Sequence, residues 1–411
     1  MAVLAGGTAV GQAITVISAP VLTRLYGPTA FGTLAVYTSM ITLVGGLAAL
    51  SYHRAIPLPE SEGEAASLLC VSVLSTAVLT AATAVALAIA GPELAALLGS
   101  SELVPWLWMV PLGIMGLGLY EVLTQWAVRR KSFSTVATTR IARGVGQTAT
   151  QIGLGVAGAG PVGLLVGQLL GQWTGSGSLG RLAWKQAGEQ IRSVRWAAMR
   201  RAAVRYRRFP QYTAPAMLLN TVSTQAPPLL LSYYFGGVVT GLYALGARIL
   251  MMPVTLIAKS ASQVFVSSAA EEMRQGRLGE STERVFTRMI RLGAPFAMLL
   301  GVAAPSLFAV AFGARWREAG EYTRWLAPWL LTVFLAFPLM PLVSVLERQR
   351  AGMIFQAVLL VGRLAGLLAG GAAGDARLAI ALFGVGSAVC WVAYLGWLVR
   401  IGGASAGGSL R

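Results

Sequence analysis

Of the 411 residues, 11% are charged and 56% are apolar, whereas a typical soluble protein is roughly 25% charged. Apolar runs of about 20 residues recur along the chain, long enough to cross a bilayer core as helices. The strands of a membrane barrel would instead alternate over about ten residues. The net charge of +17 gathers in a few loops, which is the orientation signal of a membrane protein and excludes a nucleic-acid partner.

In chain order, span 1 is expected over about 2–23 and span 2 over about 31–51, followed by the polar loop YHRAIPLPESEGEA. Met1 leads directly into apolar sequence, so no signal peptide is expected and the first span stays in the membrane. Span 3 covers about 66–90, span 4 about 105–127, span 5 about 135–157 and span 6 about 161–180. The basic stretch VRRK after span 4 is expected inside, and the acidic loop around Glu93 and Glu102 outside.

Residues 181–211 follow, the longest polar segment in the chain. They hold nine Lys or Arg against the single acid Glu189. Trp184, Ala187, Ile191, Val194 and Ala198 recur at helical spacing. The segment reads either as an amphipathic surface for lipid headgroups or a partner, or as a topogenic loop held inside by its charge. The second half repeats the pattern, with spans at about 212–235, 238–262, 289–311, 324–345, 352–371 and 377–399. Most of the 32 Lys and Arg then fall inside, and both termini are cytoplasmic.

The expected architecture is therefore an all-α integral membrane protein. It has about twelve transmembrane helices in two six-helix bundles around a central cavity: residues 1–180, the linker 181–211, and residues 212–411. An internal repeat supports this division. Residues 21–37 align without gaps with 230–246, matching Gly27 with Gly236, Gly32 with Gly241 and Ala35 with Ala244. Each half also has a basic loop after its fourth span, VRRK at 128–131 and ERQR at 347–350. Parallel repeats of this kind build transporters whose halves rock about a central site.

Charges within spans mark function more often than packing, because each is costly in lipid. Arg140, Arg143, Gln147 and Gln151 lie three or four apart in span 5 and share one helical arc. Arg248, Thr255, Lys259 and Ser262 form a second stripe, and Gln356 and Arg363 share a face of span 11. Span 1 offers Thr8, Gln12 and Thr15; span 7 offers Asn220, Ser223 and Thr224. A cavity lined by cations and amides suits an anionic headgroup, since Arg forms paired hydrogen bonds to phosphate. Arg140 and Lys259 also stand near span ends, where they reach the interface by snorkelling.

No catalytic set is present. G-x-S-x-G, a P-loop and H-E-x-x-H are all missing, and His53 is the one histidine. Neither an enzyme nor a metal site is expected, and no cofactor. Cys70 and Cys390 give no disulfide framework.

Two stretches carry a family resemblance: GTAVGQAITVISAPVLTRLYGPTAFGTLAVY near the start, and the run from YRRFPQYTAPAMLLNTVSTQAPP to QVFVSSAAE over 206–271. They resemble Wzx-type polysaccharide and O-antigen flippases of the multidrug/oligosaccharidyl-lipid/polysaccharide exporter superfamily. The resemblance implies movement of an undecaprenyl-diphosphate-linked oligosaccharide from the cytoplasmic to the periplasmic leaflet of the bacterial inner membrane. It also implies contact with membrane lipids, a polysaccharide polymerase and chain-length proteins. Arg140, Arg143, Gln147, Asn220, Arg248, Lys259 and Arg363 are then the substrate-binding candidates. The Tyr-Glu-Leu-Ala pattern common after span 2 in such relatives is replaced here by Tyr52-His53-Arg54-Ala55.

Two rival readings remain. A cation-coupled drug exporter of the same superfamily would need cavity acids, of which Glu121 is the main candidate. A multispanning glycosyltransferase or polymerase would carry large outside loops or acidic surface motifs, and neither is present.

Overall fold

The computed structural model describes residues 2–275, 277–346 and 348–404. Glu347 and the side chains of Thr8 and Thr255, named above, lie outside the described residues. The first helices are α1 (Ala2–Ile17), α2 (Ala19–Leu25), α3 (Pro28–Gly45), α4 (Glu62–Leu97), α5 (Met109–Arg129), α6 (Phe133–Val156), α7 (Pro161–Trp173), α8 (Ser176–Ser193), α9 (Trp196–Arg205) and α10 (Ala214–Pro253). They are followed by α11 (Lys259–Arg274), α12 (Leu278–Phe312), α13 (Arg317–Ala336), α14 (Leu342–Val345), α15 (Gln349–Ala372) and α16 (Ala376–Ala404). Short 3₁₀ and π turns complete the list, and no strand occurs among the described residues. Every expected span is mostly helical, with spans 1, 6 and 10 each divided over two helices.

Five helical runs among the described residues are long and apolar enough to cross a membrane: Glu62–Leu97, Phe209–Phe265, Leu278–Phe312, Arg350–Ala372 and Ala376–Gly402. Their apolar side chains point outward as well as inward. Val78, Val85 and Ile89 are exposed on α4, and Val302 and Val310 of α12 are 79% and 83% exposed. Outward apolar faces of this extent suit lipid and not water.

The chain groups into two compact units, Met1–Gly241 and Leu242–Arg411. In the first, α6 packs on α1 and α7, and α5 on α3, α4 and α8. Ser61 caps α4 by accepting the amide of Glu64 at 3.2 Å, with Glu62 and Glu64 set favourably at the helix N-terminus. Expected spans 7 and 8 fall in one continuous helical run, Phe209–Phe265, whose longest part, α10, is broken at Gly236, where φ of 77° and ψ of −176° require glycine. Just beyond that break Gly237 and Gly241 lie against α3. A Cβ on Gly32 would collide with the Gly237 carbonyl, and one on Gly241 with the Pro28 carbonyl. The two segments that match in sequence are thus in backbone contact.

The basic segment is folded onto this unit. Leu179, Ala183 and Ala187 of α8 and Ala202 of α9 are buried in one cluster with Tyr52, Ile56, Leu68, Tyr120 and Trp126. Arg129 donates to the carbonyls of Ile56 at 3.3 Å and Pro59 at 2.5 Å and pairs with Glu62 at 3.2 Å. Arg130 pairs with Glu62 at 2.8 Å and donates to the Gln186 carbonyl at 3.2 Å. In the second unit α13 packs between α12 and α16, and α15 lies on α16. Trp316, Tyr322, Leu326 and Phe383 are buried there.

Replacing Gly241 by Ala should destabilise the detergent-solubilised chain by about 1–3 kcal/mol, read as a lower Tm. Gly386→Ala, inside α16 with open space around it, should leave Tm unchanged or raise it, since alanine favours the helix. A second prediction concerns His53, in the turn Tyr52–Ala55. Its Nδ1 is buried without a hydrogen-bond partner among the described residues. Burial, helped by Arg54, lowers its pKa to about 4. The unfolded chain takes up this proton below about pH 6.5 and the folded chain does not. Stability from this group is whole above pH 6.5, declines as pH falls towards 4, and levels off below. Tm should follow that course, and His53→Gln should flatten it.

Candidate functional site

The stripe read from span 5 lies on α6. This helix approaches its neighbours through glycines: a Cβ on Gly11 of α1 would stand 2.7 Å from the Arg140 carbonyl, and one on Gly171 of α7 2.9 Å from Gln147 Cβ. Close backbones let short polar side chains reach across. Arg143 Nε donates to the Gly171 carbonyl at 3.0 Å, and its guanidinium carbon stands 4.1 Å from the Tyr120 ring centroid. Tyr120 is itself fixed by a 3.1 Å hydrogen bond with Thr139.

One turn on, Gln147 donates to Gln168 Oε1 of α7 at 2.7 Å. Gln151, another turn along, is buried and donates to the Leu164 carbonyl at 3.1 Å, while its own backbone carbonyl accepts from Tyr26 at 2.6 Å. Gln151 Oε1 and Gln172 Oε1 are buried without partners among the described residues. The α6–α7 interface therefore holds a half-buried cation, a pair of linked amides and further acceptors. The terminal nitrogens of Arg143, beyond the Nε used on Gly171, are donors in a planar fork that matches phosphate oxygens. The amides suit hydroxyl groups.

The other candidates are placed as follows. Arg140 is half-buried on α6, one turn before Arg143. Asn220 is exposed on α10, and its carbonyl accepts from Thr224 Oγ1 at 3.2 Å. Arg248, Lys259 and Arg363 belong to the second unit. Arg248 is half-buried on the later part of α10, and Lys259 is exposed at the start of α11. Arg363 is 6% exposed. Its Nε donates to Ser387 Oγ at 3.2 Å, and its guanidinium lies 5.4 Å from the Trp329 ring and 5.5 Å from Phe383. The structure thus brings Arg143 and Gln147 into one cluster and holds Arg363 in an aromatic cage.

Sequence reasoning missed Gln168, Tyr120, Trp329 and Ser387 as partners. For Gln168 a signal existed: Gln168 and Gln172 lie four apart inside an apolar span, the same spacing as Gln147 and Gln151. For the aromatic partners of Arg363 there was none, since they come from α13 and α16.

The model of the polysaccharide biosynthesis protein family matches residues 21–321. Among solved structures, the lipid II flippase MurJ in an inward closed conformation superposes with a TM-score of 0.78 at 12% identity, over 97% of this chain and 88% of that one. An inward-facing multidrug resistance MATE family transporter of the MOP superfamily gives 0.69 at 13% identity, over 98% and 96%. A MATE transporter of Vibrio cholerae gives 0.61 at 13% identity, over 97% and 94%. No curated protein sequence is significantly similar to the chain. At these identities the likeness is one of fold: an all-α, multi-pass membrane transporter fold.

Proposed function

The chain belongs to the polysaccharide biosynthesis protein family and has the MOP-superfamily transporter fold, and we propose on that basis that it is a Wzx-type flippase. Its substrate in this reading is an undecaprenyl-diphosphate-linked oligosaccharide, moved from the cytoplasmic to the periplasmic leaflet of a bacterial inner membrane. The sequence repeats 1–180 and 212–411 are its moving halves, and 181–211 is their cytoplasmic linker. The observation that carries the reading is the cluster of Arg143, Gln147 and Gln168 inside the α6–α7 interface. A half-buried guanidinium beside amides suits a diphosphate carrying sugars. Arg248 and Arg363 are further candidates for the anionic part. Polymerase and chain-length proteins are the partners this route requires.

The chemistry asked of the protein is binding, exclusion of lipid and release, with no bond made or broken. The cation-coupled exporter reading is weaker, because Glu121, its main acid, is exposed on α5 and not enclosed with the polar cluster.

Two experiments test this. In proteoliposomes with lipid-linked oligosaccharide, Arg143→Gln should lower transbilayer movement by about ten-fold or more. Arg143→Lys should restore part of it, because Lys keeps the charge without the planar fork. Membrane levels of each variant are measured first. Normal movement by a well-expressed Arg143→Gln, Arg248→Gln double variant would sink the cationic mechanism. For orientation, a periplasm-active reporter fused near Arg195 should be silent and one near Glu318 active; the reverse would overturn the topology.

A further inference from the structure

A cavity of about 610 Å³ opens in the first unit, away from the Arg143 cluster in sequence and composition. Its wall comes from the first turns of α4, the end of α8 and one face of α9. Ser61, Glu64, Ser67, Gln190, Arg201 and Arg205 supply its polar lining. Arg201 and Arg205 are four apart on α9 and so project from the same face. Arg205 reaches across to Glu64, N to O 3.0 Å. Arg201, on the preceding turn, makes no hydrogen bond or ion pair among the described residues.

Three features of this cavity point to one ligand chemistry. Two guanidinium forks one helical turn apart match the oxygens of a single phosphate. The serine hydroxyls and the Gln190 amide match hydroxyl groups attached to it. The volume exceeds what a bare inorganic ion fills and falls in the range of small-molecule sites. Glu64 is the built-in competitor: it occupies Arg205 until a stronger anion arrives. The outer surface of α8 and α9 carries exposed Trp184 and Trp196 among its arginines, with Arg192 over the Trp184 ring at 4.8 Å. Tryptophan and arginine together favour the headgroup level of a bilayer, which brings the cavity within reach of lipid phosphate.

We propose that this cavity is a binding site for a phosphate ester bearing a hydroxylated substituent, held by Arg201 and Arg205 and gated by the Arg205–Glu64 pair. The site is separate from the transported substrate's cluster and does not rest on the transport reading. Two sources share this chemistry, a phosphoglycerol lipid headgroup and a free glycerol or sugar phosphate.

The full chain in nanodiscs distinguishes them. In phosphatidylcholine discs, sn-glycerol 1-phosphate is titrated against glycerol as the uncharged control. In parallel, discs containing phosphatidylglycerol are compared with pure phosphatidylcholine. Native mass spectrometry counts retained lipid, and hydrogen exchange follows residues 61–67 and 190–205. Saturable binding in the first arm assigns the free ester. Retention with protection of both segments in the second arm alone assigns the lipid.

In whichever arm binds, Arg201→Gln should weaken affinity roughly ten-fold, the loss expected of one charge-assisted hydrogen-bonding group. Arg201→Lys should recover part of it. Glu64→Gln should tighten binding roughly three-fold by freeing Arg205, whereas Glu189→Gln, an equal charge change on the exposed side of α8, should have a clearly smaller effect. Arg201 is exposed, so its replacement leaves the fold intact, and an unchanged Tm verifies this. No binding above the glycerol and phosphatidylcholine controls would overturn the proposal. So would binding that ignores Arg201→Gln, or a Glu64→Gln effect equal to that of Glu189→Gln.

Discussion

Where Gly32 meets Gly237 and Gly241 meets Pro28, two helices touch with no side chain between them. In lipid there is no hydrophobic drive to bring helices together, so association rests on packing, and packing is tightest where Cβ atoms are missing. The break at Gly236 comes immediately before this contact. The earlier part is tied to the same unit by polar pairs: Ser39 donates to Gln225 at 3.0 Å, and Ser232 donates to the Leu98 carbonyl at 2.5 Å. Gly32 and Gly241, which align with one another in the sequence, both stand in this contact.

The same tight packing decides how buried cations are held. A guanidinium inside a membrane protein needs partners from the protein, and the chain provides them in two ways. Arg143 has a carbonyl along its edge and a tyrosine on its face, with linked amides one turn away. Arg363 has a serine on its edge and aromatic rings around it. The first arrangement leaves a half-buried fork beside further polar groups and suits a ligand. The second encloses the charge and suits the cohesion of α13, α15 and α16. Two residues with the same rationale in the sequence thus have different surroundings.

The spans were legible because hydropathy over 20 residues survives any packing arrangement. Their ends were less so. Span 3 was expected to stop near residue 90, yet α4 continues through Gly91 and Pro92 to Leu97, since a proline late in an apolar helix removes one hydrogen bond that its surroundings tolerate. In the linker, the helical stripe correctly marks Ala187, which is buried, but Trp184 on the same stripe is 50% exposed. The buried face runs through Leu179, Ala183 and Ala187, four apart, and Trp184 follows Ala183 about 100° round the helix, at the edge of that face. In the site, the α6 stripe was readable from spacing alone. Its partners on α5 and α7 were not, because a residue's neighbour across an interface leaves no periodic trace on its own helix.

The basic segment is part of the folded first unit. A loop that served only to carry charge would not bury Ala183, Ala187 and Ala202 against Tyr52, Ile56 and Trp126. Nor would it be tied at fixed points. Arg129 and Arg130, at the end of α5, grip the segment before α4 on one side and the Gln186 carbonyl of α8 on the other, while Arg205 of α9 pairs with Glu64. Single exposed ion pairs contribute little, but Arg129 is 10% exposed along its side chain and uses its fork on carbonyls as well as a carboxylate. The ends of α4, α5, α8 and α9 are consequently one body. Tyr120, which lies against the Arg143 guanidinium, is on the same α5 that ends in Arg129 and Arg130, so the polar cluster and the basic end share one helix within the first unit.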